Sequence, residues 1–266
     1  MKTFRFGLLL ATALFASTQA GAVGRLVELS VVDRTSQQEL PVYRFEGRYY
    51  VAGQPGHRYQ IQLHSQDSDR VLGVLSVDGV NVLTGDTADW SQTGYVLDAY
   101  AATDIRGWRK SLSEVADFVF ADAARSYAAR TGRPDNVGVI GMAVFRAQPV
   151  PRPVISMTRQ PAGARADEMR VPSPPPAMMA PAPIAGTLAE AAPADTGPLG
   201  TGHGQGETSL VRYTDFRRAS ATPDEVITLY YDTRERLVAQ GVIPDSNPVP
   251  PSLPHPFPGH FVPDPR

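Results

Sequence analysis

Apolar and polar residues alternate most cleanly in HRYQIQLHSQ (57–66), where Tyr59, Ile61 and Leu63 are interleaved with Gln60, Gln62 and His64. A period of two sends successive side chains to opposite faces, so this segment predicts a half-buried β-strand. RLVELSVVDR (25–34) and VYRFEGRYYVAG (42–53) are also β-rich, with Glu46-Gly47 placed for a tight turn between Arg44-Phe45 and Arg48-Tyr49. In VLSVDGVNVL (74–83), Asp78-Gly79 suits a two-residue type I′ turn, whose central positions both need positive φ. Closing there pairs Val77 with Val80 and Leu75 with Val82, and sets all four on one face as a core hairpin requires. GYVLDAYAATDIRGW (94–108) supplies further strands. NVGVIGMAVFRA (136–147) reads as a central closing strand, with Gly138 and Gly141 marking close backbone approach or a bulge.

SLSEVADFVFADAARSYAARTGRP (111–134) carries two periods at once. Ser111 and Glu114 form a capping box ahead of helically spaced Val115, Phe118 and Val119, yet Ala116, Phe118 and Phe120 alternate as a strand would. The favoured reading is a strand over 115–120 and a short helical turn over 122–130, ended by Gly132 and Pro134. About seven strands with one or two short helices predict a mainly β fold, an antiparallel β-sandwich spanning residues 25–147.

Proline divides the remainder. Of 25 prolines, 12 lie in residues 148–200 and 9 in residues 244–266. Residues 148–207, rich in Pro, Ala and Gly, lack the apolar content to offset their ordering entropy and are expected to form a disordered linker. Its LGTGHGQGETS portion (199–209) has glycine at 200, 202, 204 and 206 and reads as a flexible hinge. The motif is not a phosphate loop, which needs a strand before it and a helix after it. Residues 208–243 form a second block: SLVRYTDFRRAS (209–220) reads as a strand, Val226–Tyr231 as another, and 233–240 as a helix closed by Gly241. Thirty-six residues are too few for an independent core, so this block is expected to dock on the first, adding a strand or covering an exposed edge. Residues 244–266 are an extended Pro-rich tail.

Lys2 and Arg5 precede an apolar run over 6–16 and then small residues, the pattern of a secretory signal peptide over residues 1–22. No later segment is long and apolar enough to span a bilayer. The absence of cysteine excludes disulfides, thiolate metal sites, a cysteine nucleophile and a lipidated N-terminal anchor. Without residues 1–22 the chain has 23 basic against 27 acidic residues, a formal −4, which gives nucleic acid no electrostatic reason to bind. Lys110 is then its only lysine.

Candidate chemistry is sparse. There is no G-x-S-x-G elbow, no H-E-x-x-H and no Walker loop, and the five histidines lack ligand spacing, so no metal or cofactor is expected. TGDTADWSQTG (84–94) places Asp86 and Asp89 near Trp90, a loop suited to a sugar or peptide, although capping turns explain the same residues. DIRGWRKS (104–111) gathers Arg106, Trp108, Arg109 and Lys110 beside Asp104. On a regular strand Arg106 and Trp108 share a face. Two readings stand: an anion- or partner-binding patch, or a core tryptophan flanked by solvated charges.

VLSVDGVNVLTGD, GYVLDAYAATDIRGWRKS, SYAARTGRPDNVGVIGMAVF, LGTGHGQGE and the RYTDFRRASATPDEVITLYYDTRERLVAQGVI block together resemble a group of exported proteobacterial proteins of unknown function. The resemblance spans both folded blocks, implies a periplasmic or extracellular location, and carries over no catalytic residue. The expected function is a non-enzymatic binding or interaction module of the cell envelope, with an envelope protein or a glycan as partner. The alternative is a glycan- or peptide-acting hydrolase using carboxylates such as Asp86, Asp89 or Asp98, which needs two of them facing one cleft.

Overall fold

The computed structural model describes residues 21–149 and 197–244. Residues 1–20 of the expected signal peptide, most of the expected linker and nearly all of the expected tail therefore lie outside the described residues. In chain order the elements are β1 (Val27–Asp33), β2 (Gln38–Glu39), β3 (Val42–Phe45), β4 (Arg48–Gly53), β5 (Arg58–Ser65), β6 (Val71–Val77) and β7 (Val80–Asn81). There follow β8 (Tyr95–Leu97), β9 (Ala102–Ile105), β10 (Gly107–Arg109), β11 (Glu114–Asp122), α1 (Tyr127–Arg130) and β12 (Val139–Arg146). Past residue 196 come β13 (Leu199–Thr208), β14 (Glu225–Thr233) and α2 (Arg234–Ala239).

Two packed sheets result. In one, β1 joins β2 to β5, β5 also pairs with β9 and β11, and β11 pairs with β10 and β13. The other runs β3-β4-β14-β12-β6, with β7 and β8 on the far side of β6. Leu29, Ile61, Leu63, Phe118 and Phe120 from the first sheet meet Val51, Leu75, Val77, Ile140 and Leu229 from the second in one core. Tyr59 stacks between Phe118 and Phe120, ring centroids 5.3 and 4.2 Å away. Each such buried ring contributes about 2–3 kcal/mol through removal from water.

Local signals account for much of this. β5 buries Tyr59, Ile61, Leu63 and Ser65 on its inner face. Glu46-Gly47 and Asp78-Gly79 all take positive φ, and Val77 pairs with Val80 across the second turn. The strand reading of 115–120 holds, since β11 is followed by a 3₁₀ turn and by α1, capped by Ser126 accepting from the Ala129 amide. β12 is central, between β14 and β6, in unbroken register. Gly141 marks close approach rather than a bulge, because a Cβ there would lie 2.9 Å from Ser76 Oγ.

The block beyond the linker departs from expectation in four ways. The glycine-rich residues 199–208 are not a hinge: β13 pairs along the whole of β11, so the expected linker (148–207) ends in sheet. The block adds a strand, one of the two expected ways of docking, but β14 inserts at the centre of its sheet, between β4 and β12, and covers no edge. Its pairing with β4 is parallel, so the sandwich is not wholly antiparallel. Residues 209–220 form no strand; they cross from one sheet to the other and meet no continuous partner ladder. A sandwich confined to residues 25–147 would thus lack one strand of each sheet.

Candidate functional site

The crossing segment behaves as a strap. Its start is tied to the β10–β11 turn, where the Ser209 and Val211 amides donate to the Ser113 and Leu112 carbonyls at 2.9 and 2.8 Å. Its end lies beside β12, where the Ala219 amide donates to the Arg146 carbonyl at 2.9 Å. Between them Phe216 packs on Leu72, Val74, Ala143 and Phe145, the outer face of β6 and β12. That cover explains why β6 is apolar on both faces instead of alternating.

Beneath the strap lies a cavity of about 730 Å³, walled by Tyr95 and Val96 of β8, Thr103 of β9, Arg109 of β10 and strap residues 211–214. Four cationic side chains line it, Arg70, Arg109, Lys110 and Arg212, against one carboxylate, Asp98. Arg109 uses Nη1 on the Ser209 carbonyl (2.6 Å) and Nη2 on Ser209 Oγ (3.1 Å). Arg70 uses Nη2 on Thr214 Oγ1 (3.0 Å) and the Asp215 carbonyl (3.2 Å), with its Nε 3.5 Å from Asp98 Oδ1. Among the described residues, four buried side-chain polar atoms make no well-formed hydrogen bond, and three belong to this cavity: Arg70 Nε, whose contact is the ion pair with Asp98, and Tyr95 Oη and Arg109 Nε, from two side chains that lie against each other. Burial pushes the Tyr95 hydroxyl up, and the Arg109 guanidinium beside it acts the other way.

The residues singled out from the sequence are dispersed. Arg109 and Lys110 reach the cavity. Trp108 is core: it is 4 % exposed, packs edge-on against Phe118, and donates from Nε1 to the Gly202 carbonyl at 3.1 Å. Arg106 does not share its face, because the strand is interrupted at 106 between β9 and β10. That irregularity turns Arg106 outward to Glu207 Oε1 at 3.0 Å, while Ile105 and Trp108 both stay buried. Trp90 is 53 % exposed, and its loop is held by Arg218, which donates to the Trp90 and Gln92 carbonyls at 2.6 and 2.5 Å. Asp89 is spent on the Ser91 amide (2.8 Å) and hydroxyl (2.5 Å), the capping-turn reading. Of the three carboxylates named for hydrolysis only Asp98 lines the cavity; Asp86 and Asp89 do not.

Sequence reasoning passed over Arg70, Tyr95 and the neighbouring pair Arg212-Tyr213, which come from three separate stretches and acquire a common wall only through the fold. It also passed over two polar clusters. Asp78 is fully buried: it accepts from the Gly138 amide (2.9 Å), the Thr201 amide (2.8 Å) and the Tyr231 hydroxyl. Thr201 Oγ1 in turn lies 2.6 Å from both the Tyr59 and Tyr231 hydroxyls. Burial pushes the Asp78 carboxyl above its ordinary range, against the hydrogen bonds it accepts.

The second cluster lies on the outer face of the β11 sheet. Asp117 meets Arg34 at 3.1 Å and Arg58 at 3.3 Å, while Glu207 meets Arg34 at 2.7 Å and Arg106 at 3.0 Å. Burial first, and the neighbouring Glu207 second, push Asp117 up. A register shift makes this possible, since Ala116 faces Gly206 but Phe118 faces His203. The extra residue in β13 flips its parity, moving Glu207 to the side of Asp117. With its charges mutually paired, this cluster reads as a clamp on the edge strand. Among the described residues no three His, Asp or Glu side chains gather as a metal site.

Comparison with protein-family models, with curated proteins and with solved structures found no match to this chain.

Proposed function

We propose that this chain is an exported binding module of the bacterial cell envelope, acting without catalysis through the cavity under its strap. One observation carries the reading: both sheets and the crossing segment contribute walls to a single cavity that gathers four cationic side chains and the buried Tyr95 hydroxyl. Concave sites with a few convergent polar groups are where small ligands bind. Export rests on the charged start, apolar run and small residues of positions 1–22. Among the described residues no helix is long and apolar enough to cross a membrane. Hydrolysis is the weaker reading, because it draws on a single cavity carboxylate, Asp98, ion-paired with Arg70.

The test is native mass spectrometry on mature protein purified gently from an envelope fraction, joined to hydrogen exchange of residues 209–214. A retained small-molecule mass, whose removal speeds exchange in the strap and whose return slows it, is the expected result. Protein that carries no added mass, and whose strap exchange is indifferent to envelope extract, would rule the reading out.

A further inference from the structure

We infer that the ligand of this cavity is an amphipathic anion: a phosphate or carboxylate group facing the basic wall, joined to an aromatic or acyl portion at the rim. The inference rests on the binding reading above and adds the ligand's chemistry to it. Around the cavity Arg70 alone has an ion pair, whereas Arg109, Lys110 and Arg212 have none among the described residues. Three uncompensated cations sit around one concavity in a chain whose formal charge is −2 overall. Low-dielectric walls focus such a field and raise the local concentration of anions.

The arginines strengthen the case. The Nη donors of Arg109 and Arg70 are now spent on neutral acceptors of the strap: Ser209, Thr214 and Asp215. An anion adds direct charge–charge attraction and bidentate geometry that these neutral acceptors lack, so it competes well for the same donors. The rim supplies the second half of the chemistry. Tyr213 and Leu112 line the cavity, yet they are 87 % and 46 % exposed. A ring or short chain attached to the anion covers them and gains apolar burial there.

Lys110, the only lysine after residue 22, makes the test site-specific. Mature full-length protein is acetylated with an amine-reactive reagent, and modification of Lys110 is followed by peptide mass spectrometry. The probes are phenyl phosphate, phenylacetate, its neutral counterpart phenylacetamide, and inorganic phosphate. At about 10 mM, phenyl phosphate or phenylacetate should slow acetylation at least about threefold, with inorganic phosphate weaker and phenylacetamide inert. Whichever of the two anions protects better identifies the headgroup.

Arg109→Gln should abolish protection. Because Arg109 also holds the strap, Arg212→Gln on an exposed side chain is the second variant, expected to reduce protection with Tm unchanged. Equal protection by phenylacetamide and phenylacetate would overturn the anion while leaving the cavity as a binding site. Protection by inorganic phosphate equal to that by phenyl phosphate would overturn the amphipathic part. No protection by any probe would overturn the inference as a whole, and the retained-mass experiment would still decide the binding reading independently.

Discussion

The Thr201 amide donates to Asp78 Oδ2 at 2.8 Å, joining a hairpin turn to a strand 123 positions later in the chain. Asp78 therefore does two things at once. Its backbone takes the positive φ of the turn, and its carboxylate receives β13, β14 and the entry to β12 inside the core.

The two roles separate in Asp78→Asn. Asparagine suits the turn equally well, but its amide cannot accept from Tyr231, Gly138 and Thr201 together without turning a donor toward a donor. We expect a loss of about 1–3 kcal/mol at neutral pH, read from urea midpoints. Because burial raises the folded-state pKa of Asp78, its contribution is greatest below the unfolded value near 4 and declines as pH rises through the raised value. The gap to the Asn variant should narrow accordingly. A neutral substitution would return Asp78 to a turn residue only.

Two glycines of β13 distinguish an ordered strand from a flexible hinge. A Cβ on Gly200 would lie 2.6 Å from Val137 Cγ1 and 2.8 Å from Ser126 Cβ, whereas on Gly202 its nearest neighbour is Ala121 Cβ at 3.4 Å. Gly200→Ala should cost about 1–3 kcal/mol through overpacking, and Gly202→Ala much less. Equal, negligible effects in thermal unfolding would mean that the segment is a hinge after all.

Asp33 gives a pH dependence of the opposite sign to that of Asp78. Its burial disfavours the charge, but His57 Nδ1 at 2.7 Å and the Ser36 and Thr35 amides outweigh it and hold the carboxyl below its ordinary range. A depressed folded-state pKa contributes stability that is present above the unfolded value near 4 and is lost as pH falls through the folded one. Asp33→Asn keeps an acceptor for the two amides and removes the charge, at a cost of about 1 kcal/mol near neutrality. Urea melts from pH 7 down to pH 3 should show that difference close below pH 4; a difference that persists there would count against the charge as its source.

The parts of this fold legible in the sequence share one property: each is decided within a few residues. Tyr59-Ile61-Leu63 alternation, the Glu46-Gly47 and Asp78-Gly79 turns, and the short helical turn within 122–130 depend on local φ and on period, so reading them needs no knowledge of neighbours. The interruption at Arg106 lies beyond that range. Nothing in DIRGWRKS shows that one residue will be extruded to keep both Ile105 and Trp108 inside, so two cations from a single motif part company.

Sequence by itself determined a mainly β chain, its main turns, its proline-rich divisions and the basic and aromatic character of residues 104–111. Tertiary structure alone decided that glycine-rich 199–208 is an edge strand, since a segment without a side-chain pattern becomes sheet only where a partner such as β11 offers a ladder. It alone placed β14 at the centre of its sheet, and it alone set Arg70, Tyr95, Arg109 and Arg212 around one cavity. Pairing and cavity formation are properties of distances between segments far apart in sequence, and composition and periodicity do not encode those distances.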